Sequence, residues 1–108
     1  MSNQIAEHSF KVGDVLVSKW GYGQTNVDFF EVQRVTRKQI VMQYLSEGVT
    51  EYLSNYMGEY VVPVWPSRGK EMRRKVGTSF AEDWVVGGFS QSAATRWDGK
   101  PVLQTHTH

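Results

Sequence analysis

Val15-Leu-Val-Ser-Lys-Trp20, Val27-Asp-Phe-Phe-Glu-Val-Gln-Arg-Val35 and Gln39-Ile-Val-Met-Gln-Tyr-Leu45 are three runs rich in β-branched and aromatic residues. In the first run Val15, Val17 and Lys19 share one face, while Leu16, Ser18 and Trp20 share the other. In the second, Phe29, Glu31, Gln33 and Val35 alternate with Phe30, Val32, Arg34 and Thr36. That pattern blurs at its end, which predicts a twist or bulge near Gln33. Gly21-Tyr-Gly23 and the polar Gln24-Thr-Asn26 bend the chain between the first two runs. Thr36-Arg-Lys38 is a tight turn that makes a hairpin of the second and third. Connections this short leave no room for a parallel crossover, so the three runs predict an antiparallel meander.

The rest of the chain is read outward from that meander. Residues 46–58 fit two structures. Tyr52, Leu53, Tyr56 and Met57 make one apolar face of a short helix, and an irregular strand or loop fits nearly as well. Glu59 to Trp65 reads as a strand that Pro63 places at an edge or a strand end, and Pro66-Ser-Arg-Gly69 as a turn. Asp98-Gly99 is a turn signal between two short runs, which predicts a closing hairpin. Many short strands with frequent Gly and Pro predict an all-β fold: a small, SH3-like, partly open β-barrel of five to seven strands, with 46–58 as its one place for minor α structure. The expected core comprises Val15, Val17, Val32, Ile40, Met42, Val62 and at least two of the four tryptophans.

A chain of 108 residues has room for one domain, here read as 1–108 with flexible tails at 1–9 and 105–108. Hydrophobic residues at 40% and charged residues at 21% are globular proportions. The absence of cysteine excludes a disulfide scaffold, a thiol nucleophile and a thiolate zinc site. A net charge of +1 argues against a strongly basic nucleic-acid binder while leaving room for a local patch. The N-terminus has no basic region followed by an apolar one, and no apolar run is long enough for a membrane helix, so a cytoplasmic location is expected.

The segment Trp20-Gly-Tyr-Gly-Gln-Thr-Asn-Val-Asp-Phe-Phe-Glu-Val32, the run Arg73-Arg-Lys-Val76 and the stretch Trp97-Asp-Gly-Lys-Pro101 occur in that order. In this they resemble a family of small bacteriophage and mobile-element proteins with a similar Trp-Gly-Tyr motif and a C-terminal Trp-Asp-Gly-Lys-Pro stretch. The chain departs from the pattern at Gly23, where the family tends to carry an acidic residue, and at Phe30, where it tends to carry Tyr. The resemblance implies a mobile-element origin, a host-cell cytoplasmic setting and a shared fold. It implies no activity.

Two constellations could bind a partner. Trp20, Tyr22, Gln24, Thr25, Asn26 and Asp28 combine rings that stack with amides that hydrogen-bond a base edge or a peptide backbone. The same Asn and Asp would also cap a glycine-rich bend, with Trp20 in the core. Arg68, Lys70, Arg73, Arg74 and Lys75, against Glu71 alone, concentrate positive charge near Tyr60, Trp65 and Trp84. Such a run tracks a phosphate backbone, meets an acidic protein, or is simply solvated. As a strand it would put Arg73 and Lys75 on one face and Arg74 on the other. Trp97 to Pro101 reads as turn chemistry with Trp97 as its anchor.

Enzyme signatures are missing. The histidines His8, His106 and His108 sit in the expected tails, Ser18 and Ser54 lack a nucleophile-elbow context, and Gly21-x-Gly23 has no phosphate-loop lysine. No cofactor and no metal are expected. The sequence thus points to a non-catalytic binding protein that acts on a host or phage protein, inhibition being one form of that action. A single-stranded or duplex nucleic-acid binder is the alternative, and a small hydrolase with an unrecognised carboxylate site is the second alternative.

Overall fold

A computed structural model describes residues 7–54, 57–79, 82–88 and 91–106. The described chain is all-β. Its strands are β1 (Val15–Trp20), β2 (Asn26–Val35), β3 (Gln39–Tyr52), β4 (Gly58–Lys75), β5 (Val85–Val86), β6 (Ala93–Arg96) and β7 (Val102–Thr105). They form one antiparallel sheet in the order β5-β6-β1-β2-β3-β4-β7. The sheet is not closed, as that of a partly open small barrel would be. The predicted meander is β1-β2-β3. The bulge expected near Gln33 is also there, as a register shift between Val32 and Arg34.

β2 buries residues on both of its faces, because the sheet is covered on opposite sides at its two ends. On the first face Leu16, Phe30, Val32, Ile40 and Met42 pack with Phe10, Val85 and Ala94. On the second, Val27, Phe29, Leu45, Val61 and Val102 pack together, with Val15, Val17 and Trp97 at their margin. Neighbouring Phe29 and Phe30 therefore point into different cores. Phe30 lies 4.7 Å from the Tyr44 ring, and Trp97 meets Phe29 edge-on at 5.9 Å. Tyr44 in turn lies against Gly88, where a Cβ would land on its hydroxyl, so the β5–β6 loop can cover this face only as glycine.

Of the two structures that fit residues 46–58, residues 46–52 take the strand, extending β3, because Gly48 and Val49 pair with Val62 and Val61 of β4 and the ladder outweighs the local helical spacing; Tyr56 lies outside the described residues. Several other expectations are corrected. Pro66 to Gly69 does not reverse the chain. β4 runs through it and absorbs the irregularity as register shifts against β3 between Met42 and Ser46. Asp98-Gly99 turns the chain as expected, with Lys100 N donating to Asp98 Oδ1 at 2.9 Å, but its flanks do not pair with each other. β6 joins β1 and β5 while β7 joins β4, so this turn carries the chain across the sheet to its opposite side. Val32, Ile40 and Met42 are buried as predicted. Val15, Val17 and Val62 are only half-buried, since alternation gives the inward place on β4 to Val61. No tryptophan is fully buried: Trp20 and Trp97 are half-buried, Trp65 and Trp84 exposed. The indole N–H groups of Trp20, Trp65 and Trp97 each donate to an oxygen at the domain margin, which keeps these rings out of the core.

The described parts of the expected tails are tied down. His8 bonds Thr36 O at 2.9 Å, Ser9 donates twice to Asp83, and Phe10 is buried. Thr105 belongs to β7, and His106 N donates to Met57 O. His108 lies outside the described residues, as do Ser2 to Ala6 of the expected N-terminal tail.

Candidate interaction surfaces

The bend between β1 and β2 depends on Gly21, whose φ of +128° belongs to glycine and whose missing side chain admits Gln24 O and the Asn26 amide. Most of the first constellation serves this bend. Trp20 Nε1 donates to Asp28 Oδ2 at 2.8 Å across the β1–β2 pair, and Gln24 Nε2 donates to Asn26 Oδ1 at 3.3 Å. Thr25 docks on β7 in both directions: its N–H reaches Thr105 Oγ1 at 2.8 Å, and its carbonyl accepts from Thr105 N at 2.9 Å. Tyr22 is the exception, a fully exposed ring at the tip.

Strand alternation divides the second constellation. Arg73 and Lys75 are exposed on the second face, where Arg73 donates to Gln39 Oε1 at 3.2 Å and Lys75 stands opposite Gln39. Arg74 turns to the first face and donates to Val86 O at 3.2 Å, holding β5 beside the end of β4. Arg68 stands opposite Tyr44, at a cleft of about 370 Å³ where β2 and β3 part beyond the Phe29–Leu45 pair. Asp28 and Glu47 line the same cleft, so one residue from each predicted constellation meets there. Lys70 is exposed between these two groups.

Two clusters are not apparent in the linear sequence. The first is basic. Because β3 and β4 form one long hairpin, Lys75 returns beside the β2–β3 turn, and Val76 N donates to Lys38 O at 2.9 Å. An open cleft of about 530 Å³ results, lined by Thr36, Arg37, Lys38, Gln39 and Lys75, with Arg73 next along the strand. Carboxylates are interleaved with these cations. Glu71 takes both terminal nitrogens of Arg34, at 3.2 and 2.8 Å, Glu7 pairs with Arg37, and Glu31 accepts from exposed Trp65 at 2.8 Å. Between Trp65 and the cations, Gln33, Ser67 and Gln43 form a hydrogen-bonded chain.

The second cluster lies at the other end of the β3–β4 hairpin. Gln104 accepts from Val27 N at 3.1 Å and donates to Glu59 Oε2 at 2.7 Å, so one side chain joins β2, β4 and β7. His106 Nε2 is 2.8 Å from both oxygens of Glu59. Burial alone would raise the Glu59 pKa, but the hydrogen bonds from Gln104 and His106 and the attraction of His106 outweigh it and hold it below the usual range. Burial raises the pKa of Asp28 against the bond from Trp20. It raises that of Glu47 too, against a bond from Gln104 and with repulsion from Asp28 and Glu59 adding to the effect. The Glu59–Gln104–His106 set was hidden because Gln104 is 45 residues from Glu59 and His106 falls in the expected tail. Among the described residues no group of three His, Asp or Glu is arranged to hold a metal ion.

No family model matches the chain, and neither does any curated protein or solved structure.

Proposed function

We propose that the chain is a binding protein that engages another protein, host- or phage-encoded, through the open second face near the β2–β3 turn. Inhibition of that partner is one form such binding would take. The observation that carries this reading is the mixing of charge around the basic end. Arg37, Lys38 and Lys75 line one cleft with Arg73 next along the strand, yet Glu7, Glu31 and Glu71 stand among the cations and beside the exposed Trp65 ring. A phosphate backbone running from the ring to the cations would pass those carboxylates. A protein surface can instead match both signs, which favours specificity and fast association. Affinity capture from host lysate tests it. A partner should be retained after nuclease treatment and lost with the Arg73→Ala/Lys75→Ala variant.

A nucleic-acid reading has one observation in its favour, the convergence of Arg37, Lys38 and Lys75 on a single open cleft. Under that reading nuclease would abolish capture.

A further inference from the structure

β2 and β4 lie on either side of β3, yet the Trp65 indole N–H of β4 donates to Glu31 Oε2 of β2 at 2.8 Å. Neighbouring strands are about 4.8 Å apart, so the two side chains together span roughly 10 Å across the sheet. Alternation from buried Val61 puts Trp65 on the second face, and Glu31 shares that face with Phe29. The indole therefore lies across β3 instead of standing up from it. One face of the ring is turned to the sheet and the other to solvent, which accounts for its 49% exposure.

The carboxylate at the edge of this ring is held in place but has no counter-charge. Glu31 Oε1 accepts from Gln33 Nε2 at 3.1 Å, which also donates to Ser67 Oγ at 2.9 Å. Ser67 donates in turn to Gln43, and Gln43 to Gly69 O. Each oxygen of Glu31 thus accepts one of these hydrogen bonds and keeps a second lone pair. Among the described residues the ion pairs are Arg34–Glu71, Arg37–Glu7, Arg96–Asp14 and His106–Glu59, and none includes Glu31. Arg34, the one cation of β2, gives both terminal nitrogens to Glu71. Nor does a cation of the described residues cover the Trp65 ring; the guanidinium that stacks on a ring is Arg96, on Phe10.

We infer that Trp65 and Glu31 form a receptor for an arginine side chain of the partner protein. Charge selects the occupant. The ring face attracts a cation through its quadrupole, and the carboxylate bonded to the indole N–H adds negative charge at the ring's edge. A guanidinium uses both at once: its plane stacks on the indole while its in-plane N–H groups reach the open lone pairs of Glu31. An ammonium has no flat face to stack, and a neutral group gains nothing from the charge of the carboxylate. The chain from Gln33 to Gly69 fixes the carboxylate beforehand, so little ordering is left for the moment of binding. The inference deepens the proposed function and rests on it, naming the side chain that the partner sets against the exposed ring.

The probe is Nα-acetylargininamide, with the citrulline analogue, a neutral group of nearly the same shape, as its control. Both are titrated into the isotopically labelled full chain at constant ionic strength and followed by the indole N–H signals in NMR. The Trp65 signal is the one that Trp65→Phe removes. Arginine should move it saturably, with a Kd on the order of 10 mM, and citrulline should leave it in place. Glu31→Gln keeps an acceptor for the indole N–H and removes the charge, so it should weaken arginine about tenfold. The comparison of arginine with citrulline needs no variant and stands even where Glu31→Gln disturbs folding. Four results would overturn the inference: a Trp65 signal that ignores arginine, one that citrulline moves as far, arginine binding unchanged in Glu31→Gln, or movement with protein concentration alone, which would make a second copy the occupant. The inference and the proposed function fail separately. A Trp65 signal indifferent to arginine sinks the first even where a nuclease-resistant partner is captured, and loss of the captured partner to nuclease sinks the second even where the indole binds arginine.

Discussion

The two ends of the β3–β4 hairpin are tied to the rest of the open sheet by opposite means, each a local closure. At the basic end it is made by backbone and apolar packing: Gly77 and Trp84 exchange two hydrogen bonds, and Phe30, Met42, Ile40 and Val85 fill the space beneath. At the acidic end it is made by side chains, with Gln104 bridging Val27 and Glu59 and His106 clamping the carboxylate. An apolar closure is indifferent to pH and tolerates charge placed on its outer surface. A carboxylate closure ties the fold to protonation and leaves the neighbouring edge acidic. The difference explains why the cations can gather beside the first and why the second carries Asp28, Glu47 and Glu59, three carboxylates with displaced pKa values.

The sharpest way to break this contrast is to empty the apolar end. Phe30 is fully buried, so Phe30→Ala should cost about 3–5 kcal/mol, a large part of a small domain's stability, measured by urea unfolding. Gln104→Ala should cost less, about 1–3 kcal/mol, because it removes one of the two partners of buried Glu59 and leaves the Val27 N–H unbonded without removing much apolar surface. If the two losses came out in reverse order, the polar bridge and not the apolar cluster would be the principal closure.

Acid titration sharpens the same comparison. Glu59 is held lower when folded than when unfolded, so its contribution is complete above the ordinary glutamate range and is lost as pH falls through its folded value. Asp28 and Glu47 act in the opposite sense. Their folded values are raised, so they weaken the fold as pH rises through the ordinary carboxylate range. Glu59→Gln should therefore flatten the acid limb of stability against pH, and Glu47→Gln should raise stability at neutral pH. Thermal unfolding across pH 2–7 reads both, and an acid limb unchanged in Glu59→Gln would remove the carboxylate from the closure.

The smallest effect is expected at the basic surface. Lys38→Ala and Lys75→Ala should each change stability by no more than about 0.5 kcal/mol, since neither lysine makes an ion pair among the described residues. Their effect should appear in partner binding alone.

What could be read from the residues follows from range. The three strands of the meander, the bulge near Gln33 and the split of Arg73 and Lys75 from Arg74 depend on alternation and short turns, which are local. The partners of β6 and β7 depend on which edges of an open sheet remain free, and the Asp98-Gly99 turn is equally good chemistry for a hairpin or a crossover. The candidate surfaces divide the same way. Arg73 and Lys75 stood out as a run, but Arg37 and Lys38 join them only because a hairpin spanning residues 39 to 75 returns to its start. Gln24, Thr25 and Asn26 looked like recognition groups and prove to be largely engaged with the bend and β7, a distinction that depends on where residue 105 lies.

The central claim is that the basic end is built for a protein and not for a polyanion. Fluorescence anisotropy with single-stranded and duplex DNA and RNA probes, at two salt concentrations, tests it most directly. The account predicts weak binding of every probe, with no dependence on length. Tight binding that falls steeply with salt and is lost in Arg73→Ala and Lys75→Ala, each variant reducing the log–log slope by about one, would contradict it.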